Sequence, residues 1–134
     1  MLFGDEHIRR YRETDGEEGY IWQKGTTILI LSTTGRKSGL TRDNALIYRE
    51  HGDAYLIVGS RGGSASPPAW YLNLQADPNV QVQIKGEKFA ATARTATAAE
   101  KPELWRAMTE VWPDYDAYQA KTEREIPVVI LERA

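Results

Sequence analysis

Val80-Gln81-Val82-Gln83-Ile84-Lys85-Gly86 alternates apolar and polar side chains, then breaks at a glycine. A period of two places Val80, Val82 and Ile84 on one face of a strand, against a core, and the glutamines on the other. Gly86 turns the chain back into Lys88 to Thr95, so the segment predicts an antiparallel hairpin. Working outward, Thr26 to Thr33 (Thr-Thr-Ile-Leu-Ile-Leu-Ser-Thr) is β-branched and apolar throughout. It is too short for a helix of that character and predicts a core strand. Asn44 to Arg49 and Ala54 to Gly59 flank a turn at His51-Gly52-Asp53 and predict a second hairpin, and Val128 to Leu131 a closing strand.

Helical patterns punctuate these strands. Asp5 to Thr14 is strongly charged, with Ile8 and Tyr11 as a weak apolar stripe, and predicts a short surface helix within an N-terminal helical segment over residues 1–20. Ser66-Pro67-Pro68 is expected to cap and start a helix through Trp70, Tyr71 and Leu74, stopped before Asp77-Pro78. Leu104, Ala107, Met108 and Val111 recur at helical spacing. Thr97 and Glu100 suit a capping box for that helix, although Pro102 favours a start near Lys101. Pro113 ends it, and Asp114 to Glu125 reads as a last short helix. About six antiparallel strands with flanking helices predict a small barrel, mainly β or α+β, in a single domain over residues 1–134.

Composition narrows the chemistry. With 134 residues there is room for one core, and a net charge of -2 gives no general attraction to nucleic acid or anionic lipid. The absence of cysteine removes disulfides, thiolate nucleophiles and cysteine-ligated metals. The two histidines, His7 in a charged stretch and His51 in a turn, assemble neither a hydrolytic triad nor a metal site. No apolar run approaches the roughly 20 residues that cross a bilayer. The expectation is a cytoplasmic protein without stable membrane insertion, without a metal and without a nucleic-acid partner.

Thr33-Thr34-Gly35-Arg36-Lys37-Ser38-Gly39-Leu40-Thr41-Arg42 is the most informative stretch. Glycines free the backbone to approach an anion while hydroxyls and three cations converge on it, and no acidic residue lies between Glu18 and Asp43. The competing reading is a solvated basic hairpin loop, and the spacing is not that of a Walker loop. Gly59-Ser60-Arg61-Gly62-Gly63 follows directly on a strand and presents glycine-rich backbone at a barrel mouth, unless it is simply a flexible loop. Trp70 suits the wall of a pocket for a planar ring, and Trp112, Tyr115 and Tyr118 suit a lid over a flat substrate. Core packing is the alternative for all four.

Taken together, Leu31 to Gly39, Val58 to Gly63, Pro68-Ala69-Trp70-Tyr71-Leu72-Asn73-Leu74, Asp77-Pro78 and Tyr115-Asp116-Ala117-Tyr118-Gln119 resemble the deazaflavin-dependent nitroreductase family, whose members use coenzyme F420. The resemblance runs from about Trp22 to the C-terminus. It implies a split β-barrel of the type that binds flavin mononucleotide (FMN), with F420 in a groove. Thr34, Gly35, Arg36, Lys37, Ser38 and Arg42 would bind the cofactor, with the cations on its phosphate and anionic tail. Gly59, Ser60, Arg61, Gly62, Gly63 and Trp70 would border it. Ser60, Tyr115 and Tyr118 are the implied catalytic residues, and with Trp112 they would contact an electron-poor hydride acceptor such as a quinone, enone or nitroaromatic.

Three departures from the family pattern stand out. Arg61 replaces a common lysine, Trp112 stands where a tyrosine often occurs, and Ile47 is apolar where a nitroreducing relative has a tyrosine. The charged N-terminus does not match the apolar membrane-associating extension of some relatives. Two alternatives stay open at this point: an FMN-dependent oxidoreductase on the same barrel, and a non-catalytic carrier of cofactor or lipid. A homodimer is left open as its assembly.

Overall fold

A computed structural model describes residues 2–134. Six strands, β1 (Thr27–Thr34), β2 (Thr41–His51), β3 (Ala54–Val58), β4 (Asn79–Ile84), β5 (Glu87–Thr95) and β6 (Val128–Arg133), close an antiparallel barrel in the order β1-β2-β3-β6-β5-β4. Four helices surround it: α1 (Gly4–Glu13), α2 (Ala69–Ala76), α3 (Lys101–Val111) and α4 (Asp114–Lys121). The expected barrel of six antiparallel strands is therefore what forms. Among the described residues no helix is long and apolar enough to cross a membrane.

Why some strands are apolar throughout and others alternate follows from what covers them. Leu29 and Leu31 of β1 join the barrel interior, while Ile28 and Ile30 lie in a cluster with Tyr11 of α1. Strand β1 is thus buried on both faces. Strands β3 and β6 repeat the pattern, with Ile57, Val129 and Leu131 inside and Leu56, Val128 and Ile130 packed with Leu104, Met108 and Tyr115 of α3 and α4. Each such side chain contributes about 1.5–3 kcal/mol relative to exposure. Along β4, Val80 and Val82 point inward and Gln81 is exposed, as the alternation predicts. Gln83 departs from it: it is buried beside Tyr11 of α1, whose hydroxyl lies 3.4 Å from Gln83 O, and its Nε2 donates to Lys85 O at 2.9 Å.

The helices keep some expectations and correct others. α1 spans Gly4–Glu13, within one residue at each end of the expected Asp5 to Thr14, but His7 as well as Tyr11 on its inner face is buried. The Tyr11 hydroxyl donates to Ile28 O at 2.9 Å and accepts from Lys85 N at 2.7 Å, and burial pushes the phenol up to about 12. His7, read from sequence as part of a charged stretch, donates from Nε2 to Gly19 O at 2.8 Å. α2 begins after Pro68, and Ser66 makes no cap bond to it. α4 stops at Lys121, four residues before Glu125, because Thr122 adopts an extended backbone.

Candidate active site

Strand β2 starts earlier than expected, pairing Thr33 with Arg42 and Thr34 with Thr41, so the basic loop shrinks to Gly35–Leu40. Gly35 N donates to Leu40 O and Gly39 N to Gly35 O, both at 2.8 Å. A side chain at Gly35 would meet Ser38 Oγ at 2.8 Å, so this glycine serves the turn itself. Ser38 Oγ accepts from Leu40 N. The loop is anchored from α2 by Asn73, a buried residue the sequence reading passed over: its Oδ1 accepts from Arg36 N at 3.1 Å and its Nδ2 donates to Thr33 Oγ1 at 3.2 Å.

Beside this loop lies a cleft of about 650 Å³ lined by Gly35, Arg36, Lys37, Ser38 and Arg42, with Arg9 of α1 facing them. Among the described residues none of Arg36, Lys37 and Arg42 has an ion-pair partner, so their charge is available to an anion. Two acids also line this cleft: Asp43, which Arg12 reaches at 3.3 Å and to which Ser32 Oγ donates, and Asp5 of α1, which forms no ion pair among the described residues.

A second cleft, of about 850 Å³, meets the first at Arg36, Asp43, Asn44 and Trp70. It is lined by Ser60, Arg61 and Gly62 on one side and by Trp112, Tyr115 and Tyr118 on another. The two stretches, about 50 residues apart in sequence, are thus brought to one site. Phe3 and Trp22 also line it and were not anticipated. Trp22 stacks on Trp112 at 5.9 Å and carries Phe3 edge-on at 5.6 Å, forming an aromatic column.

The hydroxyl geometry bears on chemistry. Trp112 Nε1 donates to Tyr118 Oη at 3.3 Å, which leaves the Tyr118 proton free to donate elsewhere. Tyr115 is 5 % exposed, and burial, with the neighbouring Tyr118 adding, pushes its phenol well above the ordinary value, so it stays protonated.

Three expected residues lie outside both clefts. Thr34 is exposed on the strand end. Gly59 and Gly63 make close approaches instead: a side chain at Gly59 would sit 2.9 Å from Pro127, and one at Gly63 2.7 Å from Tyr118 O. Gly63, at φ +82°, is what lets the loop press against the backbone of α4. Arg61 and Gly62, both cleft-lining, also have left-handed backbone, at φ 45° and 63°.

What holds that loop is Arg124, which no sequence pattern marked. It donates to Gly59 O, Ser60 O and Ser64 O at 3.2, 2.7 and 2.8 Å. Desolvation, reinforced by the Arg61 charge, draws its guanidinium below the ordinary arginine value. Lys121 Nζ adds a contact to Gly62 O at 3.3 Å.

A protein-family model described as F420H(2)-dependent quinone reductase matches residues 4–133. An F420H(2)-dependent quinone reductase of Mycobacterium tuberculosis is 38 % identical over 130 residues, covering 95 % of this chain and 87 % of the relative. Among solved structures, one titled as an F420-H2 dependent reductase shares 40 % identity at a TM-score of 0.72, covering 78 % of this chain and 93 % of its own. Another, described as a domain-swapped dimer, shares 35 % identity at a TM-score of 0.74 and covers 93 % and 96 %. The expected dependence on reduced deazaflavin agrees with these names. The expected nitroreductase label is not among them, and none of them names FMN.

Proposed function

The chain belongs to the F420H(2)-dependent quinone reductase family, and on that premise we propose that it is an F420-dependent oxidoreductase that reduces a quinone in the larger cleft. The observation that carries this reading is the junction of the two clefts at Arg36 and Trp70, which joins an end carrying Arg36, Lys37 and Arg42, none of them ion-paired among the described residues, to an aromatic chamber. A long cofactor with an anionic tail and a flat ring fits that division. The donor set supports it, because Arg36, Lys37 and Arg42 supply charge-assisted bonds to phosphate or carboxylate. Open space beside Gly62, where a side chain would meet nothing within 4 Å, leaves room along the glycine loop.

When bound, the reduced cofactor supplies a hydride to the acceptor. The residues of the chain do the rest. Arg36, Lys37 and Arg42 hold the anionic portion, Trp70 walls the ring, and Ser60, Arg61 and Gly62 border it. Trp112, Tyr115 and Tyr118 enclose the acceptor and exclude water from it. The free Tyr118 proton, with Ser60 as a second donor, stabilises negative charge as it develops on the acceptor oxygen. Assembly as a homodimer belongs to this proposal, prompted by the domain-swapped relative.

Titrating the purified protein with F420 and, separately, with FMN, then following reduced-deazaflavin absorbance on adding a quinone, tests the reading. Binding of F420 in preference to FMN and quinone-dependent oxidation are the expected results. Failure to bind F420, or binding with no turnover on any quinone, would overturn it.

A further inference from the structure

Three consecutive residues of the loop at Ser60–Ser64, Arg61, Gly62 and Gly63, sit in left-handed backbone, and one of them, Arg61, is not a glycine. Such a conformation persists only where its surroundings impose it. Here the restraint comes from the far end of the chain. Arg124 spends its three donor nitrogens on the carbonyls of Gly59, Ser60 and Ser64, and among the described residues it has no carboxylate partner. A planar guanidinium fork can satisfy three fixed carbonyls at once, whereas an ammonium concentrates its charge at a single point. Arg124 is itself held, since Gln119 Nε2 donates to Arg124 O at 2.8 Å and Gln119 Oε1 accepts from Ile126 N at 2.9 Å. Gln119 lies on α4, one residue beyond Tyr118.

We propose that Arg124 is a positioning residue for cofactor binding: by bonding three carbonyls of the glycine loop it fixes Ser60, Arg61 and Gly62 in their cleft-lining arrangement and braces them against the helix that carries Tyr115 and Tyr118. The inference rests on reading the cleft as the F420 site. Two physical effects follow from the clamp. The loop is ordered before the cofactor arrives, so binding does not have to supply the ordering entropy. The carbonyl oxygens of Gly59, Ser60, Gly62 and Ser64 are engaged by the cations Arg124 and Lys121, which offsets their negative dipoles beside an anionic ligand.

The test compares wild type with Arg124→Ala and Arg124→Lys. In cofactor-free protein, hydrogen exchange at the amides of Gly63 and Ser64, which donate to Ser60 O and Arg61 O, is expected to speed about tenfold or more in Arg124→Ala, with the barrel strands unchanged. The dissociation constant for F420 should rise about tenfold in the same variant, with Arg124→Lys intermediate in both readouts. Unchanged exchange in both variants would overturn the clamp. Faster exchange with wild-type F420 affinity would overturn its link to the cofactor. If Arg124→Ala does not fold, Arg124→Lys decides by the same two measurements. Should wild type fail to bind F420, the reading of the cleft falls and the cofactor half of the inference with it. The exchange data on cofactor-free protein still decide whether Arg124 holds the loop.

Discussion

Tyr118 receives a hydrogen bond from Trp112 Nε1 and keeps its own proton for another acceptor. That arrangement gives Trp112 a use beyond its ring: its indole N–H orients the Tyr118 hydroxyl. Tyr118→Phe preserves the ring and deletes the donor, so kcat for quinone reduction should fall by about tenfold or more while the dissociation constant of F420 stays within about twofold. Wild-type kinetics in that variant would remove Tyr118 from the chemistry. At this scale the sequence made the cations and aromatics legible because their residue types are unusual in their places. It hid Asn73 and Arg124, whose partners, all backbone groups save the Thr33 hydroxyl, lie 37 to 65 positions away and are reached by ordinary polar side chains. Sequence spacing carries no signal for a side chain that bonds to distant backbone.

The turn into α3 shows what an element's sequence can and cannot specify. Thr97 and Glu100 make the reciprocal bonds of a capping box, Thr97 N to Glu100 Oε1 at 2.9 Å and Glu100 N to Thr97 Oγ1 at 3.2 Å, yet the helix itself begins at Lys101 with Pro102 in its first turn. Both sequence signals were correct about different residues. Local spacing did not reveal Arg94 of β5, which grips the Glu100 carboxylate at 2.8 and 3.0 Å. Arg94 first, and then the Thr97 amide, hold the Glu100 carboxyl at about 2, below its ordinary 4.5. A carboxylate with a depressed folded-state value contributes stability that is present above the unfolded value and is lost as pH falls through the folded one. Denaturant unfolding measured from pH 5 to 2 should therefore show a shallower acid loss for Glu100→Gln than for wild type, together with lower stability at neutral pH. Parallel acid limbs in the two proteins would remove Glu100 from the linkage. Elsewhere the strands were legible wherever both faces are buried, as in β1. The inner face of α1 was not, because His7 and Tyr11 are buried through specific hydrogen bonds rather than through apolar periodicity.

Six strands could be counted from the sequence, but their circular order could not. β6 inserts between β3 and β5, pairing Tyr55 with Leu131 and Ala93 with Leu131, and β1 closes onto β4 through Leu31 and Val82. Such pairings join residues tens of positions apart, and no local pattern specifies them. The closure matters because it sets the basic loop and the glycine loop along one groove, and that places a concentrated positive region on a chain whose net charge is -2. Cofactor binding should then depend on local cations and be sensitive to salt, against the small opposing charge of the whole molecule. A ligand that binds only the folded state stabilises it by mass action, by about 2.7 kcal/mol at one hundred times its dissociation constant. For a chain of this size that corresponds to a rise in Tm on the order of 10 °C. F420 at a fixed concentration should raise Tm by such an amount in about 0.05 M salt and by clearly less in about 0.5 M, as screening weakens the contacts at the exposed Arg36, Lys37 and Arg42. Lys37→Ala and Arg42→Ala should each cost about 1.5–3 kcal/mol of binding, roughly tenfold or more in affinity, and should flatten the salt dependence. Their own Tm without F420 should stay close to wild type, since none of these cations is paired within the fold. A Tm rise that ignores salt, or variants that retain the full shift, would show that the cofactor is held by the aromatic cleft alone and that the basic loop is only a solvated turn.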